Sequence, residues 1–115
     1  MSRIAGSRAE ECARTYLMSQ GLRWVTSNFR SYCGEIDLIM RDKKTLVFVE
    51  VRARTSSRFG GGVESVTWYK QQKLIKTAEF YVQKMMMTHD IVRFDVVSLD
   101  GKPPVITWIK DAFTC

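Results

Sequence analysis

Two segments of the chain carry apolar residues at the spacing of an amphipathic helix. In residues 7–20 they fall at i, i+3, i+4, i+7 and i+8, which predicts a helix with one buried face. Ser7 is its expected N-cap, with Glu10 three residues later completing a capping box, and Gly21 is expected to end it. The second helix is predicted over residues 67–86. Its expected inner face comprises Gln71, Leu74, Ile75, Ala78, Tyr81, Val82 and Met85.

Five shorter segments have the length and composition of β-strands. Residues 35–41 and 45–52 flank Asp42-Lys43-Lys44, which predicts a β-hairpin. The other predicted strands are residues 22–29, 91–98 and 104–109, the last two joined by a turn at Asp100-Gly101. The order αβββαββ indicates an α/β protein with a mixed β-sheet flanked by helices.

Length and composition narrow the class of protein. The chain has 115 residues, of which 45% are hydrophobic and 26% are charged, so we expect one domain over residues 1–115. No apolar run reaches the ~18 residues of a membrane span. The absence of such a run predicts no membrane association. The three cysteines are odd in number, widely spaced and never in a C-x-x-C pair, which favours a cytoplasmic protein. The net charge of +6 favours a polyanionic partner such as nucleic acid.

The hairpin is expected to bring acidic side chains together. Period two places Glu35 and Asp37 on one face of the first strand, and Glu50 and Arg52 on one face of the second. With a loop of even length, Asp37 lies opposite Glu50, and Glu35 lies opposite Arg52. Opposed side chains are about 5 Å apart at Cβ, so two carboxylates there repel each other unless a cation lies between them. A divalent ion bound by carboxylate oxygens would remove that repulsion, and the pattern therefore predicts a metal site.

The opposite face of the hairpin is uniformly apolar, and we expect it to be core. It comprises Ile36, Leu38, Met40, Val47, Val49 and Val51.

Polar side chains at the edges of the two helices are candidates for the same site. Glu10 lies beside the apolar face of the first helix, and Gln71 lies in the first turns of the second, with Lys70 on its flank. Other interpretations stay open for each of them. The hairpin acids would then be ion-paired with Arg52 and Arg54 at the surface, Glu10 would serve only the capping box, and Gln71 and Lys70 would be solvated.

Several runs of sequence together resemble the YraN family of proposed endonucleases. They are G-E-I-D-L-I at residues 34–39, V-F-V-E-V-R-A-R at 47–54, F-G at 59–60, S-V-T at 65–67, K-Q at 70–71, R-F-D-V-V at 93–97 and I-T-W-I-K-D-A-F at 106–113, with Gly6, Glu10 and Ala13 matching the N-terminal helix. The resemblance covers nearly the whole chain. It implies the restriction-endonuclease-like fold shared with archaeal Holliday junction resolvases, whose nuclease motif is an acid, a spacer and then E-x-K.

The resemblance also implies a role for each matched residue. Asp37 and Glu50 match the metal-binding acids, and Glu10 matches the helix acid. Gln71 matches the polar residue of the following helix, and Arg52 occupies the lysine position. The implied protein is an endonuclease dependent on Mg²⁺ or Mn²⁺, in which Glu10, Asp37 and Glu50 hold the metal and Arg52 binds the scissile phosphate.

Two positions depart from the motif, and the second leaves two functions open. Ile36 stands where the motif often has proline. Arg52 stays protonated and cannot act as a base. The chain is therefore expected either to hydrolyse DNA phosphodiester bonds, including those of branched DNA, through metal-activated water, or to be a noncatalytic nucleic-acid-binding module. A surface for protein interaction is a third interpretation.

Basic residues near the acids are expected to contact the nucleic-acid backbone. They are Arg54, Arg58, Lys70 and Lys73, and the glycines at 60–62 would form a loop that closes on the substrate. Resolvases of similar fold act as dimers, so a homodimer is a candidate form by analogy.

Overall fold

The computed structural model describes residues 2–54 and 66–114, with the side chains of residues 8–54 and 66–114. Along these residues the chain forms α1 (Ser2–Ser19), β1 (Arg23–Ser31), β2 (Gly34–Asp42), β3 (Thr45–Arg54), α2 (Trp68–Lys84), β4 (Ile91–Asp100) and β5 (Val105–Phe113). The predicted order αβββαββ and the α/β class are therefore confirmed. None of the helices in the described residues is long and apolar enough to cross a membrane.

The five strands form one mixed sheet in the order β1-β2-β3-β4-β5. The central pair, β3 and β4, is parallel, whereas β1–β2, β2–β3 and β4–β5 are antiparallel. A parallel pair needs a crossover connection, and α2 lies in the segment that joins β3 to β4. The sheet flanked by helices, as predicted, is confirmed.

Each face of the sheet has its own core cluster. Beneath α1 the buried residues are Ala13, Leu17, Leu22, Leu38, Met40, Val47, Val49, Val97 and Leu99. On the α2 side they are Ile36, Ile39, Leu46, Phe48, Val66, Leu74, Ile75, Ala78, Tyr81, Phe94, Val96 and Phe113. Strands covered on both faces need apolar residues on both, which explains the continuous apolar runs at residues 38–40 of β2 and 46–49 of β3.

The predicted core face of the hairpin is correct for five of its six residues. Leu38, Met40, Val47 and Val49 lie fully buried in the cluster beneath α1, and Val51 packs partly buried against it. Ile36 differs, because it packs in the cluster on the α2 side. The strict alternation expected for β2 therefore breaks between Ile36 and Leu38, on either side of Asp37.

The two ends of α1 bear out one sequence prediction and contradict another. The helix begins at Ser2, so Ser7 lies inside it and the predicted N-cap with its capping box is wrong. No proline in residues 2–6 stops the helix from extending past Ser7. The predicted end is confirmed, since Gly21 has φ of +102° and the Leu22 N–H donates to the Leu17 carbonyl at 3.1 Å.

The hairpin has the predicted register. Pairing runs from Asp42 opposite Thr45 to Leu38 opposite Val49, around the two-residue loop Lys43-Lys44. The next position in this register places Asp37 beside Glu50. The two-residue loop sets this register, and the register determines which side chains meet at the other end of the hairpin.

The start of α2 follows the prediction, and its last turn does not. The Thr67 hydroxyl accepts a hydrogen bond from the Lys70 N–H at 3.2 Å and caps the helix. Met85, expected on the buried face, is 47% exposed and follows the last helical residue. Thr77 is fully buried instead, and its hydroxyl donates to the Lys73 carbonyl at 2.8 Å.

Candidate functional site

A cavity of about 340 Å³ lies where β2, β3 and α2 meet. It is lined by Gly34, Glu35, Asp37, Glu50, Val51, Arg52, Lys70, Lys73 and Leu74. Three acids and three cations share this small volume. The register of the hairpin contributes the acids, and the first two turns of α2 contribute the lysines.

Asp37 is held in the cavity by the backbone of the neighbouring strand. Its Oδ2 accepts a hydrogen bond from the Val51 N–H at 2.8 Å, just beyond the last paired residues of β2 and β3. Burial raises the pKa of Asp37 above its usual range, and the Val51 N–H acts in the opposite direction because it stabilises the carboxylate. The side chain is therefore fixed in position beside Glu50.

Glu50 is the most perturbed acid of the site. It is only 9% exposed, and burial, followed by the negative charge of Asp37, raises its pKa from 4.5 to about 8. The Arg52 Nη1 lies 3.4 Å from Glu50 Oε2 and the Lys70 Nζ lies 3.9 Å from it. These cations lower the pKa, but burial and Asp37 outweigh them. Near neutral pH the pair therefore shares a proton, because two adjacent buried carboxylates cannot both ionise cheaply.

Glu10 approaches Asp37 from α1. Burial first, and then the charge of Asp37, raises the Glu10 pKa, whereas a hydrogen bond with the Asn28 side chain lowers it. Glu10 also borders a separate depression of about 250 Å³ with Arg14, Trp24 and Asn28 among its lining residues. Asp37 thus interacts with one acid on each side of it.

Glu10, Asp37 and Glu50 are not arranged as a three-ligand metal site. Among the residues that the structure describes, no group of three His, Cys, Asp or Glu side chains is arranged to surround a metal ion. The predicted meeting of Asp37 with Glu50 is present, and Glu10 reaches this pair through Asp37.

Three other residues that the sequence placed near the acids form contacts with different groups. Glu35, expected opposite Arg52, forms an ion pair with Arg30 of β1. Gln71 donates its amide N–H to the Val66 carbonyl at 3.0 Å, which stabilises the start of α2. Arg54 forms an ion pair with Asp100 at 3.2 Å.

The remaining residues expected to contact nucleic acid either line the cavity or lie outside the described residues. Lys70 and Lys73 line the cavity, as a role in phosphate binding requires. Arg58 and the glycines at 60–62 lie outside the residues that the structure describes.

Sequence reasoning missed Asn28 as a neighbour of the acids. Asn28 has φ of +54° in β1, and its side chain hydrogen-bonds Glu10. Asparagine is among the few residues that adopt this conformation readily. An asparagine inside a predicted strand is the only signal that could have indicated it, and that signal is weak.

The fold and the site together define an α/β protein with two adjacent carboxylates on neighbouring interior strands of a mixed sheet, in a cavity beside α2. Residues 9–99 match the uncharacterised protein family UPF0102, which is the YraN family, and the chain belongs to that family. The match includes Glu10, the hairpin acids and α2. The family resemblance of the sequence motifs is therefore confirmed.

Three relatives illustrate how far the similarity extends. A UPF0102 protein of Legionella pneumophila, lpg2994, is 47% identical over 114 residues, which cover 98% of this chain and 97% of the relative. One from Xanthomonas oryzae pv. oryzae is 47% identical over 109 residues, covering 94% and 89% of the two chains. One from Aliivibrio salmonicida, VSAL_I2655, is 46% identical over 112 residues, covering 96% and 91%. Their names state the family and no activity.

Proposed function

We propose that this protein is a divalent-metal-dependent endonuclease that hydrolyses phosphodiester bonds of DNA, branched DNA included. The observation that carries the proposal is the pair formed by the buried Glu50 and the half-buried Asp37, in a cavity that also contains Arg52, Lys70 and Lys73. Two adjacent buried carboxylates are costly unless a cation neutralises them. The cations around them suit an anionic substrate.

The carboxylates fit a hard cation such as Mg²⁺ or Mn²⁺. Their oxygen atoms are the ligands that these ions prefer, and the mutual repulsion of Asp37 and Glu50 would be relieved by a positive charge between them. Glu10 would support the site through Asp37. A bound divalent ion would supply a water of lowered pKa and would stabilise negative charge on the phosphoryl oxygens.

The cationic side chains would bind the phosphate. The Arg52 guanidinium can donate two hydrogen bonds to a phosphate, and Lys70 adds a second positive charge near the same carboxylate. Arg52 cannot take a proton from water, because its guanidinium stays protonated. Its role in this proposal is therefore limited to orienting the phosphate and stabilising charge.

Metal binding and cleavage test the proposal with isosteric variants. Calorimetry should detect binding of Mn²⁺ or Mg²⁺ to the wild type, and Asp37→Asn or Glu50→Gln should abolish it. The same variants should stop cleavage of linear, nicked and four-way DNA. Glu79→Gln is the matched control, because it also removes one carboxylate but from the exposed side of α2. Cleavage by Asp37→Asn at the wild-type rate would refute the assignment.

A noncatalytic nucleic-acid-binding module is the second candidate. It is favoured by the position of Arg52, whose guanidinium already lies 3.4 Å from Glu50, where it competes with a metal for that carboxylate. In this case DNA binding should fall steeply with salt but should not change on addition of Mg²⁺ or EDTA. Calorimetry without a metal signal, together with such DNA binding, would favour this candidate over the nuclease.

A further inference from the structure

Two pairs of exposed aromatic side chains lie near the two ends of α2. At its start, Trp68 and Tyr69 are 63% and 74% exposed, with their ring centroids 5.2 Å apart. Toward its end, Phe80 is 36% exposed and meets Tyr32 of the β1–β2 turn, which is 90% exposed, at 6.0 Å between centroids. A ring that is 74% or 90% exposed buries too little apolar area to contribute much to the stability of the core.

The two pairs are connected by one stripe of the helix surface. Tyr69, Lys73, Lys76 and Phe80 follow at i, i+4, i+7 and i+11, which places them on a single side of α2. All four are exposed. We call this stripe, together with Tyr32, the aromatic–lysine track.

The track borders the carboxylate cavity. Lys73 belongs to both, and Gly34, which also lines the cavity, lies so close to α2 that an added Cβ would be 3.8 Å from the Lys73 Cβ. Tyr32 is two residues before Gly34, so it extends the track along the same rim. A ligand lying on the track would therefore pass the opening that contains Asp37 and Glu50.

The chemistry of the track matches a single nucleic-acid strand. Aromatic rings stack on any unpaired base, and lysines between them neutralise phosphates, whereas the bases of a duplex have their faces covered by neighbouring bases. From Tyr69 to Phe80 the helix rises about 16 Å. That length corresponds to roughly five nucleotides at the ~3.4 Å rise of a stacked strand.

We propose that the aromatic–lysine track binds the unpaired bases of a single-stranded segment. The substrate of the carboxylate site is then a nucleic acid with a single-stranded tract, such as a flap, gap or loop, next to the phosphodiester that is cleaved. The identity of this substrate rests on the proposed nuclease function, but the binding of a single strand by the track does not.

Binding is measured in EDTA, so that it does not depend on metal or on cleavage. Fluorescence anisotropy compares a labelled oligothymidylate with a blunt duplex of the same length. The wild type should bind the single strand more tightly. Tyr69→Ala and Tyr32→Ala should each weaken that binding by roughly five- to 150-fold, the range for loss of one base stack. Binding of the duplex should change far less.

Two matched variants separate stacking from other effects. Tyr69→Phe keeps the ring and should retain most of the affinity. Ile91→Ala removes exposed apolar surface at the opposite end of the sheet, beside Thr45, and should bind as the wild type does. Equal affinity for single strand and duplex, or unchanged binding by both tyrosine variants, would overturn the proposal. Absence of binding to either nucleic acid would also overturn it and would indicate a protein-docking surface.

The failure of this inference is distinguishable from the failure of the nuclease proposal. If Asp37→Asn cleaves DNA as the wild type does, the carboxylate assignment is wrong, while the anisotropy results remain valid for the track. If the wild type cleaves blunt duplex as fast as flapped DNA and the tyrosine variants do not alter this, the track is not the substrate site of the nuclease.

Discussion

Replacing Glu50 by glutamine should change how the stability of the protein depends on pH. The variant keeps the shape of the side chain and removes the buried charge, and its amide N–H can still donate to Asp37. In the wild type the Glu50 pKa rises from 4.5 to about 8 on folding. The native state therefore binds a proton more tightly than the unfolded chain does. Its free energy of unfolding must fall as the pH rises between these two values and level off above them.

The size of the effect follows from the pKa values. At 1.36 kcal/mol per pH unit, a change from 4.5 to about 8 corresponds to an upper limit of about 5 kcal/mol. Part of this belongs to Asp37, because the two carboxyl groups titrate as a pair. We therefore expect Glu50→Gln to gain a few kcal/mol over the wild type as the pH is raised from about 5 to 9, with little difference at the acid end.

Urea unfolding followed by tryptophan fluorescence, in EDTA and at several pH values, measures this difference directly. Groups that titrate identically in both proteins cancel when the two curves are subtracted. Glu79→Gln should give a curve parallel to that of the wild type, since its carboxylate is exposed. Parallel curves for Glu50→Gln and the wild type would refute the conclusion that Glu50 is a buried, proton-sharing carboxyl.

Three further predictions test other parts of the structure. Saturating Mn²⁺ at about pH 9 should raise the melting temperature of the wild type and leave that of Glu50→Gln unchanged; equal shifts in both would contradict a metal site at this carboxylate. Asp95 is 1% exposed and accepts hydrogen bonds from the Arg93 guanidinium, the Trp108 indole and the Asp111 N–H, so Asp95→Asn should destabilise the protein by roughly 3–5 kcal/mol in urea unfolding. A loss below about 1 kcal/mol would show that this network contributes little. Gly21→Ala should lower the free energy of unfolding by about 1 kcal/mol, and the positive φ alone is the cause because an added Cβ meets no atom within 4 Å. Gly21→Asn should lower it less. Equal losses in the two variants would implicate packing instead.

Local patterns were sufficient to predict the elements and the hairpin register. The apolar spacing in α2, the glycine after α1 and the two-residue loop Lys43-Lys44 each act over a few residues, so their consequences can be read without knowing the rest of the chain. Extended by one residue beyond Leu38 and Val49, that register places Asp37 beside Glu50. The prediction of Ser7 as the N-cap was also local. It failed because a Ser-x-x-Glu pattern does not show whether the helix extends to earlier residues.

The hydrophobic pattern and the motifs could not predict contacts between segments that are far apart in the chain. Asp95 lies in the R-F-D-V-V motif, but the motif does not indicate a buried network. Its partners Trp108 and Asp111 come from β5, more than ten residues away. Gln71 was expected at the acids and instead stabilises the start of its own helix. The partners of Asp95 depend on which strands pack together. The partner of Gln71 is local, only five residues away, so this side chain binds the backbone at the start of its own helix rather than the acids.

The sequence by itself determined the order of the elements, the meeting of Asp37 with Glu50 and the surrounding positive charge, because these depend on the geometry of single helices and one hairpin. Only the tertiary structure decided that Glu10 reaches Asp37 from α1, that Glu50 is buried enough to hold its proton near neutral pH, and that Tyr32 meets Phe80. The physical reason is that desolvation and contacts across the sheet depend on the packing of distant segments, which no local spacing specifies.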